Sequence, residues 1–322
     1  MKTAGRLPTI LTLTLALVLF IAGPLILPIY WVMILTEILI MGLLAMSFNL
    51  LFGYTGLLSF GQAGFFGVGA YATALFLSKG GSSLLVGLLA ALGASALVAA
   101  VVGYLCVRRD EIYFAMITLG FGMMLYTAAH NWISLTGGSD GLPLLNVPAL
   151  NLLGREFSLF DPAVMYWFVL AVTGLCLLFL WRVVRSPFGL MLTAIRENKQ
   201  RLSFVGAEVR HLRLAAFVIA GALAGVAGGL FCLFNSMAAP DILNWAFSSR
   251  PVLMTVLGGS GIFFGPLFGA AIFFGLEQLI TDVTENWMIF LGLILIPVVI
   301  FFPRGILGTL IDRVQARIKH TP

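Results

Sequence analysis

Charge is what this chain has least of. Asp, Glu, Lys and Arg together make up 10% of its 322 residues, where a soluble domain carries about 25%, so there is too little polar side chain to coat a water-facing globule. Histidine and cysteine are as scarce, with three of each. Cys106, Cys176 and Cys232 lie far apart, each in or beside an apolar run, and offer neither a disulfide framework nor the spacing of metal ligands. Glu37 and Glu277 are the acidic residues that fall within apolar runs, and like His130 they sit near run ends. No file of Asp, Glu or His crosses a bilayer, as a proton relay requires. These absences argue against a proton-driven pump. The want of clustered polar residues argues equally against a membrane-bound enzyme, a metal site or a cofactor held by this chain.

What fills the sequence is apolar: 61% hydrophobic residues and a mean hydropathy of +1.08. Runs of helix length fall at 9–27, 32–51, 57–77, 84–107, 112–133, 163–181, 214–237 and 287–302, with a longer interrupted stretch at 249–280. Each run is continuous instead of alternating, which favours helices over barrel strands, and about 20 apolar residues cross a hydrocarbon core of about 30 Å. The fold class expected is therefore an all-α polytopic membrane protein, one transmembrane domain over 1–322 with about eight full transmembrane helices plus a broken re-entrant segment. Residues 2–23 resemble a secretory signal, but the apolar run continues to Ile29, so an uncleaved first helix is expected.

Orientation follows from Lys and Arg, which favour cytoplasmic loops. With 186–212 placed inside, alternation puts both termini inside, and every basic residue except Lys79, Arg155 and Arg250 lands there too. The net charge of +5 thus comes from inner loops on a membrane surface, and no nucleic-acid partner is needed to explain it. The count closes only if 249–280 enters and leaves on the outer side. Its Gly258-Gly259-Ser260-Gly261 centre suits a hairpin buried against protein. Gly53, Gly56 and Gly61 form a similar pattern before the third run. Gly221, Gly225 and Gly229, and Gly265 with Gly269, suit close helix packing or a moving gate.

The cytoplasmic loop 186–212 opens with Ser186 as N-cap and Pro187 at the first helical position. It alternates large apolar residues with the run Arg196-Glu197-Asn198-Lys199-Gln200-Arg201 and stops at Gly206. One or two short helices beneath the membrane are expected, resting either on anionic lipid or in a protein groove. Outside, the loop 134–162 is the longest segment. Ser59 and Gln62, with Thr118 and Tyr71, are polar groups that either line a translocation path or bond to neighbouring helices.

Four separated blocks carry a resemblance. They are Leu50–Tyr71; Tyr113–Leu142 with its Thr136-Gly-Gly-Ser-Asp-Gly141; the run from Ser186-Pro-Phe-Gly through Ala194-Ile-Arg-Glu-Asn198 and Gly206 to Gly225; and Val256-Leu-Gly-Gly-Ser-Gly with Phe302-Pro-Arg-Gly305. In this order the chain resembles the M-type permease subunits of branched-chain amino acid ABC importers. The resemblance implies a passive half-channel in the bacterial inner membrane. Its implied partners are a homologous second permease, two cytoplasmic ATPases that bind the ATP, a periplasmic or lipid-anchored binding protein, and membrane lipid. It assigns Arg196, Glu197, Asn198 and Gly206 to the ATPase-coupling helix, and Ser139 and Asp140 to docking of the binding protein. Relatives in this family also carry urea, amides and small or aromatic carboxylic acids, and a stand-alone secondary carrier is the further alternative. The sequence departs from the family after Asn198, with Lys199, Arg201 and Leu202 in place of an acidic residue and small residues.

Overall fold

A computed structural model describes residues 24, 27–81, 83–109, 111–144, 148, 150–152, 155–281, 287–302 and 305–309. Of the expected first helix at 9–27, residues 9–23 and 25–26 lie outside the described residues, as does the tail from 310. Long helices follow the apolar runs: α1 Ile29–Asn49, α2 Gln62–Ser78, α3 Leu84–Cys106, α4 Glu111–Asn131, the single turn α5 Ile133–Thr136, α6 Pro162–Arg185, α7 Pro187–Phe204, α8 Val209–Asn235, α9 Trp245–Gly258, α10 Gly265–Thr281 and α11 Trp287–Phe301. Among the described residues, five stretches are long and apolar enough to cross a membrane: 29–55, 84–106, 112–131, 162–185 and 209–235.

Large apolar side chains stand exposed along these helices, among them Leu85, Leu89, Leu97, Met116, Leu175 and Leu178. In water such a surface would be an aggregation liability, and against lipid it is the matching solvent. The protein is a multi-pass membrane protein.

The centre of the bundle is α8, packed against α2 and α3. Lipid supplies no hydrophobic force between helices, so contact depends on close backbone approach at small residues. A methyl group at Gly69 on α2 would collide with the Gly225 carbonyl of α8, and one at Gly225 with the Ser95 hydroxyl of α3. The glycine stripe of α8 is thus occupied by packing. Phe65 and Phe114 close edge-on over Phe217 and finish that core.

Two departures from the expected helices are informative. The run 57–77 is helical only from Gln62; before it, α1 ends in a π-helical turn at Leu50–Thr55, and residues 56–61 are irregular. An irregular stretch inside a membrane protein must have its backbone groups bonded by protein. Here the Phe60 N–H donates to Thr118 Oγ1 (3.3 Å) and the Ala63 N–H to Ser248 Oγ (3.2 Å). The second departure is from an all-α chain. Short antiparallel pairs form where the chain is extended beyond the helix ends: Leu142–Pro143 (β1) with Met237–Ala238 (β4), and Leu150–Leu152 (β2) with Arg155–Phe157 (β3).

The interrupted stretch forms an antiparallel helix pair. α9 starts just past β4 and the 3-10 turn Pro240–Leu243, its first turn capped by Asn244 Oδ1 accepting from the Ala246 N–H. α10 returns alongside, so close that a methyl group at Gly269 would meet the Met254 carbonyl. Both outer ends of this hairpin therefore lie at the β1–β4 end of the bundle, and residues 259–264 form the tip at the other. With 14 residues, α9 measures about 21 Å, shorter than a full crossing.

Candidate functional site: a bent helix and a buried polar break

The segment between α6 and α8 sits at the opposite end from β1 and β4. α7 is anchored through Leu192 and Ile195, both buried. At Asn198 the backbone leaves helical geometry (φ −162°, ψ 99°), and the side chain starts a second short helix by accepting from the Arg201 N–H at 3.0 Å. Two short helices at an angle result. The inside of the bend forms a groove of about 330 Å³ lined by Ala194, Glu197, Asn198, Arg201, Leu202 and Val205. Gly206 ends the segment at φ +89°, a conformation that favours glycine. Beside it Phe204 is 88% and Val205 84% exposed.

Ser186 stands at the expected cap position but does not cap α7. Its hydroxyl donates backwards to the Val183 carbonyl (2.6 Å), closing α6. The preceding helix leaves its last carbonyls unsatisfied, and this one captures the hydroxyl.

Arg196, Glu197 and Asn198 share the bend yet point to different tasks. Glu197 is exposed and lines the groove. Arg196 Nη1 donates to the Gly53 carbonyl at 2.5 Å, joining the bend to the π-helical turn that ends α1. No spacing rule connects two residues so far apart in sequence.

The structure brings together three of the four polar residues expected on a path. Ser59, Gln62 and Thr118 gather at the break before α2, all buried, and Thr118 Oγ1 donates to the Ala115 carbonyl (2.9 Å) while accepting from Phe60. Ser59 Oγ accepts from the Gly61 N–H (3.4 Å). Gln62 is fully buried, and neither atom of its amide has a hydrogen-bond partner among the described residues. Tyr71 lies farther along α2, buried, its hydroxyl also without a partner there. A second cavity of about 180 Å³ lies elsewhere, between α1, α6 and the end of α8, lined in part by Met33, Thr36, Leu159 and Phe234.

Sequence reasoning missed two features. Arg250, expected only to lie on the outer side, stands inside α9, where it approaches Glu277 of α10. Asn49, buried at the end of α1, leaves Oδ1 without a partner among the described residues. Its signal was a lone Asn closing an apolar run. At the β1–β4 end, Ser139 and Asp140 occupy an exposed 3-10 turn, with Ser139 Oγ donating to Asp140 Oδ1 (3.2 Å).

The profile of a family described as "Branched-chain amino acid transport system / permease component" matches residues 30–299. The chain is 30% identical to the high-affinity branched-chain amino acid transport system permease protein LivM of Escherichia coli, over 96% of this chain and 77% of that one. It is 27% identical to the probable LivM of Methanocaldococcus jannaschii, covering 68% of this chain and 72% of that one. With the permease protein LivH of Salmonella typhimurium it shares 27% identity over 83% of this chain and 90% of that one. No solved structure matches it.

Proposed function

This chain belongs to the branched-chain amino acid transport permease family, and from that premise we propose that it is the membrane-spanning subunit of an ATP-driven ABC importer for branched-chain or related amino acids. The family consists of transport permeases, not enzymes, so ATP is bound and hydrolysed by partners. The permease pair sits on two cytoplasmic ATPases, and α7 seats in a cleft of one of them. A homologous permease completes the channel, and a periplasmic or lipid-anchored binding protein delivers cargo to the end that carries Ser139 and Asp140, in the bacterial inner membrane. That both M-type and H-type permeases are similar to this chain supports such a pair.

The observation that carries the reading is the form of α7. A bent helix standing beyond the bundle end, held by Leu192 and Ile195, presents a carboxylate, a groove and two bare apolar side chains, Phe204 and Val205. An apolar anchor beside a charged rim is what a partner's cleft accepts. Glu197 and Asn198 form the rim, Phe204 and Val205 the anchor, and Gly206 ends the helix. Closure of the ATPases would move α7 as a handle and swing the helices between outward-open and inward-open states. With α7 cytoplasmic, the α9–α10 hairpin enters and leaves from the outer side.

Co-purification tests this. The ATPases should stay with the wild-type permease through detergent extraction and be lost from a Phe204→Ser, Val205→Ser variant whose own membrane level is unchanged. ATPases retained by that variant would remove the docking assignment.

A further inference from the structure

The contact between α7 and the end of α1 goes further than docking. We propose that Arg196 is a positioning residue that passes displacement of α7 to the tip of the α9–α10 hairpin and to the irregular stretch leading to Gln62. The proposal rests on the reading of α7 as the ATPase seat.

Three observations build it. Arg196 Nη1 bonds the Gly53 carbonyl, one of the last in its helix; such carbonyls lack an intrahelical partner, and a cation bonded there is favoured by the helix dipole as well as by its charge. The stem of the same side chain lies over Gly56, where a methyl group would be 3.3 Å from Arg196 Cγ. Gly56 holds φ +73°, the turn that releases the chain into residues 57–61. On its other side Gly53 abuts the hairpin tip: a methyl group there would lie 2.5 Å from the Ser260 carbonyl oxygen. Gly53 is thus clasped between a guanidinium on α7 and backbone of the tip.

Between Gly53 and the tip the clasp leaves little slack. Of its three members only Arg196 contributes a side chain, and the other two meet backbone to backbone, so a shift of α7 cannot be absorbed by rotamer changes at Gly53. Packed interfaces respond to sub-Ångström shifts by switching between arrangements and not by yielding smoothly. The two elements that receive the shift are the tip, residues 259–264, and the stretch that ends at the buried Gln62 amide. A π-helical turn at the point of transfer fits, since such turns gather at functional positions.

The test uses the whole transporter in liposomes: this chain, its partner permease and both ATPases, with Cys106, Cys176 and Cys232 replaced by alanine. A probe cysteine is introduced by Gly261→Cys, at an exposed tip position with open space around it. Maleimide labelling is compared with and without ATP plus vanadate. With Arg196 present, the labelling rate should change by about fivefold or more on nucleotide trapping. With Arg196→Gln or Arg196→Met, ATP hydrolysis and ATPase retention should persist while the nucleotide-dependent change is lost, and Arg196→Lys, which keeps a cationic donor, should restore part of it. The proposal is overturned by an unchanged label response in Arg196→Gln, by loss of the ATPases from it, or by failure of both Gln and Met variants to reach the membrane, which would make the contact a folding requirement. A wild-type response that ignores nucleotide in a complex that hydrolyses ATP overturns it too. Failure of the functional reading looks different: the wild-type chain would then hold no ATPase at all.

Discussion

Arg250 on α9 and Glu277 on α10 approach to 3.9 Å (Nη2 to Oε1), with side chains 26% and 19% exposed, and so tie the two arms of the hairpin near its open end. Glu37 of α1 lies within electrostatic reach of both, which sets two carboxylates and one guanidinium in one partly buried group. The sequence pattern offered these residues singly, Glu37 and Glu277 near the ends of apolar runs and Arg250 on the outer side. Their assembly depends on the antiparallel return of α10, which no local pattern specifies.

Removing one member of such a group is costly when it leaves the remaining charge uncompensated. Arg250→Met alone, which leaves Glu37 and Glu277 as two partly buried carboxylates, should lower the thermal unfolding midpoint in detergent more than Glu277→Leu alone, which leaves Arg250 with Glu37. Scanning fluorimetry on the purified variants reads this; a Glu277→Leu variant less stable than Arg250→Met would contradict it.

Gln62 separates a stabilising role from a transport role. A buried amide with its hydrogen-bonding capacity unspent costs stability, so Gln62→Met should unfold at the same or a higher temperature than wild type. If the amide instead meets solute when the break opens, uptake should fall by about tenfold or more. Paired melting and uptake measurements decide, and a less stable variant with normal uptake would assign Gln62 to structure.

Glycine positions give a contrast within one chain. Gly225→Val places atoms against Ser95 and Ala91 where helices already touch, and overpacking of this kind typically costs about 1–3 kcal/mol. Gly174→Ala on α6 has open space around it, and replacing a mid-helix glycine there should be neutral or gain up to about 1 kcal/mol. Folded yield by size-exclusion chromatography should fall sharply for the first and hold for the second.

The hairpin also predicts sidedness. Single cysteines at Trp245 and Thr281, both exposed at the outer ends of α9 and α10, should react with an impermeant maleimide from the side opposite to a cysteine at Val205. Reaction of Trp245→Cys and Thr281→Cys from opposite sides would mean that the segment crosses.

The long helices were legible because bilayer solvation imposes a continuous apolar run, and the observed spans begin and end within a few residues of those runs. The break at 56–61 was not, since its apolar residues continue the run, and what unwinds the chain there is tertiary: Thr118 and Ser248 offering hydroxyls to Phe60 and Ala63. The bent helix was legible from Pro187, the charged run and Gly206. The direction of Arg196 was not, because Gly53 lies on another element and helical periodicity reports only the face a residue occupies. Ser186 shows the same limit at close range, where two helix ends compete for one hydroxyl and the earlier one wins.

The central claim is that this chain conducts solute only under power supplied by others. Its most direct test is uptake of radiolabelled leucine into proteoliposomes containing the permease pair, loaded with binding protein outside, with and without the two ATPases and enclosed ATP. Uptake that requires both ATPases and ATP is the predicted result. Leucine accumulation by the permease alone, without ATPases or nucleotide, would contradict the account.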